Sequence, residues 1–227
     1  ETCSGCDSAT SSMSIPPIAR SVALLSDVHG NLEALDAVLA ALPAHDVGLV
    51  VVAGDLLLGG DQPLEVWRRL QGPEFLLVRG LSDTALVSVS ERALAGAGPE
   101  EAAERFRRTR AALGELVIEQ VRRLPLQRRL PLVDGSEVVV VHGSPLDPTI
   151  AIDLGADDDE LRHAIDDDPA DFVVCGAAHV PFLRRLEGTV VVGLGSVGQA
   201  PEGRVAHFGI LRPRMDGPEV ALEHVAY

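Results

Sequence analysis

Asp27, His29, Asp55, His142 and His179 are the residues best placed to do chemistry, because each stands where an apolar run stops. Ser21-Val22-Ala23-Leu24-Leu25 leads into Asp27-Val28-His29-Gly30-Asn31, and Val50-Val51-Val52-Ala53 leads into Gly54-Asp55. Val138 to Val141 leads into His142-Gly143, and Phe172-Val173-Val174-Cys175 leads into Gly176 and then His179. An aspartate and a histidine one residue apart at the end of a buried strand can both turn toward one cation. Carboxylate oxygens mixed with imidazole nitrogens suit manganese, iron, zinc, nickel or cobalt and do not choose among them. Gathering such groups at the carboxyl edge of an open α/β sheet is how a metal site is assembled there.

The elements that must carry these turns follow from periodicity. Asn31 to Ala40 places apolar residues at helical spacing, with Asn31 as the cap, and Pro43 ends the helix. Pro63 to Leu70 reads as a second helix, with Trp67 packing it onto the sheet, and Phe75 to Val78 as a strand running into Arg79-Gly80-Leu81-Ser82-Asp83. From Thr84 to about Leu124 the pattern is helical and charged, broken at Gly96-Ala97-Gly98-Pro99. Arg105, Arg107, Arg108 and Arg110 oppose Glu100, Glu101 and Glu104 there, which reads as a solvated face of ion pairs. Beyond Pro125, strands are expected over 126–133, 138–141, 172–175, 182–186, 189–192 and 205–211, with a short acidic helix over 156–165. Parallel βα units followed by hairpin-like strands predict an α/β fold, a four-layer α-β-β-α sandwich of two packed mixed sheets with flanking helices. With no internal repeat or linker, residues 21–227 form one domain with a helical segment near 84–124, after a tail over 1–20.

Bulk composition narrows the functions. A chain of 227 residues, 46% hydrophobic, supports one sizeable core. Its net charge is −15 and all 19 basic residues are arginine, so nucleic-acid backbones and anionic lipid are repelled. No apolar run approaches the roughly 20 residues that span a bilayer, and Glu1 to Ser12 lack the pattern of a secretory signal. Those residues read as a disordered or non-native tail, with Met13 as a natural start. Cys3 and Cys6 are spaced like half a zinc site or a redox pair, but with no second pair they are read as part of the tail. Cys175, inside an apolar strand, reads as a small buried side chain, and three cysteines, one of them buried, fit a reducing cytoplasm. A homo-oligomer is left open.

Taken together, the turns resemble the calcineurin-like metallophosphoesterases, in their small prokaryotic phosphodiesterase-like branch, from about Ser21 to Leu211. The resemblance is carried by Asp-x-His-Gly-Asn at 27–31, Gly-Asp at 54–55, Gly-x-x-Asp at 80–83, His-Gly-Ser-Pro at 142–145, Gly-x-x-His at 176–179 and Gly-Ser-Val-Gly at 195–198. It implies two metal ions: Asp27, His29, Asp55 and His179 for the first, with Asp55 bridging, and Asp55 with His142 for part of the second. In the family, the pair activates a water and clamps phosphoryl oxygens, while a histidine of the third block protonates the leaving group. The turn at Asn31 would face substrate as well as cap its helix. Arg79 would face a phosphate, or pair with Asp83 or Asp61.

The chain departs from that pattern at Leu81, Ser82 and Ala177. The family's third block is Gly-Asn-His-Asp, and leucine offers no lone pair where asparagine would bind the second ion. Ser82 stands where the proton-donating histidine would, and its hydroxyl is too weak an acid for that task. Ala177 replaces a second-ion histidine. The resemblance thus implies one firmly bound divalent transition metal, a second weak or absent, and phosphoesterase activity on a small phosphorylated ligand or phosphodiester. The alternative is a weak or inactive member acting as a binding or regulatory protein. Ser144 and Pro145 are read as shaping their turn, and Gly195 to Gly198 as structural. His45, His163, His207 and His224 are read as surface or core histidines, and the aspartate runs at 157–159 and 166–168 as solvated helix ends.

Overall fold

The computed structural model describes residues 15–94, 99–152, 154–166 and 168–227. Cys3, Cys6 and Met13 lie outside these, as do Gly96-Ala97-Gly98 of the expected helix break and Asp167 of the second aspartate run.

The first half of the described chain alternates strand and helix: β1 (Ser21–Leu25), α1 (Leu32–Ala41), β2 (Val47–Val52), α2 (Pro63–Arg69) and β3 (Phe75–Leu77). Three helices follow, α3 (Leu81–Ser88), α4 (Glu91–Leu94) and α5 (Glu100–Arg122). Then come β4 (Gln127–Pro131), β5 (Glu137–Val141), α6 (Asp158–Ala164), β6 (Phe172–Cys175), β7 (Pro181–Arg185), β8 (Val190–Leu194), β9 (Val205–Arg212) and β10 (Glu219–Ala226).

Two mixed five-stranded sheets result, in the orders β10-β9-β1-β2-β3 and β4-β5-β6-β8-β7. β1, β2 and β3 pair in parallel, as do β5, β6 and β8, and the remaining pairs are antiparallel. Within each sheet the carboxyl ends of the central strands therefore point the same way. Val22, Leu24, Val51 and Ala53 meet Leu130, Val138, Val140 and Val174 between the sheets. The outer face of the first sheet is covered by α1, α2, α3 and α5 through Leu35, Val38, Trp67, Leu86, Phe106 and Val121. α6 covers the second through Leu161 and Ile165. The expected four layers are present.

Local chemistry accounts for the boundaries. Asn31 Oδ1 accepts from Ala34 N at 3.1 Å and caps α1, while Pro43 turns the chain into one 3₁₀ turn over Leu42–His45. Asp157 and Glu160 form a capping box on α6, so that acidic run serves a helix start. α5 is kinked at Gly114, whose φ is 70°, and its arginines pair with Glu100, Asp61 and Glu115. The chain joins the fold before Ser21: Ile18 bridges Leu132, and Ile15 packs between the sheets.

Candidate metal centre

Past the ends of β1 and β2 the strands stop, but their hydrogen bonding continues. Asp27 N donates to Gly54 O at 3.0 Å, His29 N to Asp55 O at 2.9 Å and Gly30 N to Leu56 O at 2.9 Å. Val197 N and Gly198 N donate to Ser26 O and Asp27 O, and Gly176 N to His142 O. The loops after β1, β2 and β8 are thereby laced into one group and those after β5 and β6 into another, and the His142 ring on Ala53 O and the Asp27 carboxylate on Ala177 N join the two. Close approach demands glycine at two points. A Cβ at Gly80 would collide with Asp55 N and Oδ1, and one at Gly176 would collide with Ser26 Oγ and lie 2.8 Å from Asp27 Oδ2.

This lacing brings all five expected residues together. The ligand atoms of Asp27, His29 and His179 lie within 4.8 Å of one another, as do those of Asp27, Asp55 and His142. His179 Nε2 is 3.1 Å from Asp27 Oδ1 and 3.2 Å from His29 Nε2. His142 Nε2 is 3.3 Å from Asp55 Oδ1, and Asp55 Oδ2 is 3.8 Å from His29 Nε2. Asp27 belongs to both groups, so the second has three candidate ligands where the sequence pattern supplied two. Asp27, His29, Asp55 and His142 are buried, whereas the His179 side chain is 29% exposed and marks the solvent side.

The three imidazoles are oriented alike. Their Nδ1 atoms stand 2.7 Å from Leu58 O (His29), 2.9 Å from Ala53 O (His142) and 3.2 Å from Gln199 O (His179). A carbonyl can only accept, so each Nδ1 carries a proton, and in the neutral ring each Nε2 turns a lone pair toward the centre. Asp27 Oδ1, buried at the same centre, has no hydrogen-bond partner among the described residues. Two Nε2 lone pairs and an orphaned carboxylate oxygen crowded together are relieved by a shared cation, and the donor set fits one.

Protons are the competing cations. Burial would raise the Asp27 carboxyl, but His179 and His29 hold it well below the usual carboxylate range. Burial would lower His142, yet Asp55 lifts it to about 9, and His29 is raised by Asp27 and Asp55 against the same burial. Asp83 goes the other way: burial and the Asp55 charge push it up to about 6.

The other expected site residues stand apart. Arg79 turns from the cluster, its Nη1 donating to Arg122 O at 2.6 Å at the end of α5. It pairs with neither alternative acid, since Asp61 holds Arg108 and Asp83 accepts backbone N–H groups from Leu56 and Gly80. The carbonyls left open at a helix end attract a guanidinium more effectively than an acid already satisfied. Asn31 is likewise fully used: besides capping α1, its Nδ2 donates to Gly198 O and Tyr227 Oη. Leu81 is 48% exposed, and Ser82 N donates to Asp55 Oδ1 at 2.8 Å while its hydroxyl has no partner among the described residues. Ala177 N donates to Asp27 Oδ2. Two of the three departures thus position ligands through backbone amides.

Sequence reasoning missed the carbonyls of Ala53, Leu58 and Gln199, because no side-chain pattern reports a backbone acceptor. It also missed Asp83 as the clasp between two site loops. Ser144 shapes its turn as expected, its Oγ accepting from Asp147 N. His207 pairs with Glu202, and His45 meets Arg212, so neither joins the cluster.

Comparison with known proteins agrees with this geometry. The calcineurin-like phosphoesterase superfamily domain matches residues 21–215. The uncharacterized protein MJ0912 of Methanocaldococcus jannaschii is 26% identical over 186 residues, covering 78% of this chain and 69% of that protein. The hypothetical protein PH1004 of Pyrococcus horikoshii superposes with a TM-score of 0.81 at 20% identity, over 91% of this chain and 88% of its own. A metallophosphoesterase from Sphaerobacter thermophilus superposes with a TM-score of 0.71 at 23% identity, over 92% and 89%.

Proposed function

Because the chain belongs to the calcineurin-like phosphoesterase superfamily, we propose that it hydrolyses a phosphodiester or phosphomonoester of a small ligand with the help of a divalent transition metal. The observation that carries this reading is the orphaned Asp27 Oδ1 facing Nε2 atoms whose protons have been assigned elsewhere. When bound, such an ion supplies Lewis acidity, lowering the pKa of a water and drawing charge from phosphoryl oxygens. Asp27, His29, Asp55 and His179 would hold the firmer ion, and Asp55, His142 and Asp27 a weaker one.

The protein's own contribution is preorganisation. Backbone carbonyls fix each imidazole, Ser82 N and Ala177 N fix the two carboxylates, and the start of α3 turns its amide dipoles toward Asp55. Substrate enters past His179, the one exposed member. A cytoplasmic setting accords with the free, buried Cys175, whose thiol burial pushes up to about 12.

Hydrolysis of bis(4-nitrophenyl) phosphate with added manganese tests the proposal. Turnover above a metal-only blank is expected, lost in Asp27→Asn and Asp55→Ala. No turnover with any of manganese, iron, zinc, nickel or cobalt would overturn it.

A second reading, a binding or regulatory protein with little catalysis, is favoured by one specific observation. Leu81, Ser82 and Ala177 add no side-chain ligand to the His142 group. Restoring Leu81→Asn, Ser82→His and Ala177→His together should then raise turnover by orders of magnitude. A parent enzyme that already turns over briskly and gains nothing would exclude it.

A further inference from the structure

The His142 side of the cluster has an apolar rim. Leu81, Leu126 and Ile150 are exposed at 48%, 41% and 59%, and each adjoins this side. Leu81 follows Gly80, and a Cβ on Gly54 would lie 2.6 Å from Gly80 Cα and 2.9 Å from His142 Nδ1, so these three meet at one point. Leu126 precedes β4, and the register Gln127↔Val141 sets it level with His142. It shares parity with Leu130, which faces the gap between the sheets. Pro125 O accepts from Arg79 N at 2.8 Å, which ties the start of that strand to the loop bearing Leu81. The backbone of Ile150 rests on Gly143, where an added Cβ would come within 2.6 Å of Ile150 O.

Behind this rim lies Ser82, whose amide is committed to Asp55 and whose hydroxyl is buried and unpartnered among the described residues. A serine hydroxyl cannot protonate a departing alkoxide near neutral pH. Nearby proton carriers are occupied: the Nδ1–H groups of His29 and His142 point at carbonyls, and Asp83 is enclosed by backbone amides. A group expelled on this side must therefore leave as an anion stable by itself, and its body must suit leucine and isoleucine rather than water.

Resting on the phosphoesterase reading, we propose that this site selects phosphate esters with an apolar, weakly basic leaving group, an aryl ester, whose ring lies against Leu81 and Leu126. In the step, a water oxygen bonds to phosphorus while the P–O(aryl) bond breaks. The bonding pair departs on oxygen as the phenolate, and the water's proton passes to solvent.

The test is a series of methyl aryl phosphates from 4-nitrophenyl to phenyl, with 1-naphthyl and an alkyl ester added, assayed with manganese. For the parent, kcat/KM should fall by about 10²-fold or more from nitrophenyl to phenyl, the range a positioned acid would have supplied. Ser82→His should raise the phenyl rate far more than the nitrophenyl rate and so flatten the slope. Ser82→Ala should leave the slope as it is, which keeps the test decisive if the histidine variant does not fold. Leu81→Ala with Leu126→Ala, which removes apolar surface without adding a ligand, should raise KM for the naphthyl ester about tenfold. A flat leaving-group dependence, alkyl esters or inorganic pyrophosphate cleaved as fast as aryl esters, or a slope changed by Ser82→Ala would overturn this selectivity while leaving the phosphoesterase reading intact. No turnover of any ester would overturn both.

Discussion

Asp27, His29, Asp55 and His179 present their side chains from backbone at φ of 57°, 51°, 53° and 57°. Left-handed backbone is uncommon outside glycine, though aspartate and histidine tolerate it better than most residues, and it lets adjacent loops aim side chains at one point. Ala177 adopts the same conformation at φ 61° and contributes only its N–H. Ala177→Gly should therefore stabilise the protein by about 1 kcal/mol without loss of metal binding, read as a shift in denaturant midpoint. A second prediction concerns protons. In metal-free protein His142 titrates near 9, above its ordinary 6.5, so its contribution to stability is fully present below pH 6.5 and is lost as pH rises toward 9. Thermal scans in chelator should show a falling midpoint across that window. With manganese the trend should reverse, because binding displaces those protons and strengthens as they become scarce. All five clustered residues were legible in the sequence, since a ligand type at a strand end is a local signal. Arg79 was not, because a long side chain goes to whichever partner the fold delivers. Its partner is Arg122 O, 43 positions away.

At the scale of elements, the decisive device is the clasp between the loops after β2 and β3. Asp83 lies in the first turn of α3, fully buried, and accepts from Gly80 N at 3.0 Å and from Leu56 N at 3.0 and 3.2 Å. It holds Gly80 against Asp55 and so sets the position of one candidate ligand. Asp83→Ala would strand two buried N–H groups, at about 1–3 kcal/mol each. The expected result is a loss of several kcal/mol in urea unfolding together with weaker metal binding. Asp83→Asn keeps a carbonyl acceptor and should lose much less, which separates the hydrogen bonds from the charge. The strands and helices that carry ligands were readable because their apolar periods are clean. β10 escaped for a physical reason. Val220 and Leu222 face the gap between the sheets, whereas Val225 and Tyr227 pack on the opposite side, so neither face alternates along its length. The strand is held by eight paired positions with β9, a tertiary fact with no local signature.

At the scale of the molecule, the candidate ligands come from four segments distant in sequence, two on each sheet, and they meet only when the sheets are packed. A cation bound there opposes separation of the layers, and the unfolded chain cannot reproduce the site. Binding to the native state alone stabilises by about 2.7 kcal/mol when free ligand is 100-fold above its dissociation constant. Manganese should therefore raise the unfolding midpoint of the parent and do so far less for His179→Ala, which removes the exposed ligand but leaves Asp27, Asp55 and His142 in place. The residual shift in that variant measures the weaker group directly. Titration calorimetry on the parent should then resolve one tight equivalent and one weak one. Two equally tight equivalents would mean that backbone groups or solvent complete the His142 side as well as side chains complete the other. The net charge of −15 adds a long-range component: an acidic surface concentrates divalent cations near the open edge, so the weak affinity should fall more steeply with added salt than the tight one, whose ligands are buried and poorly screened.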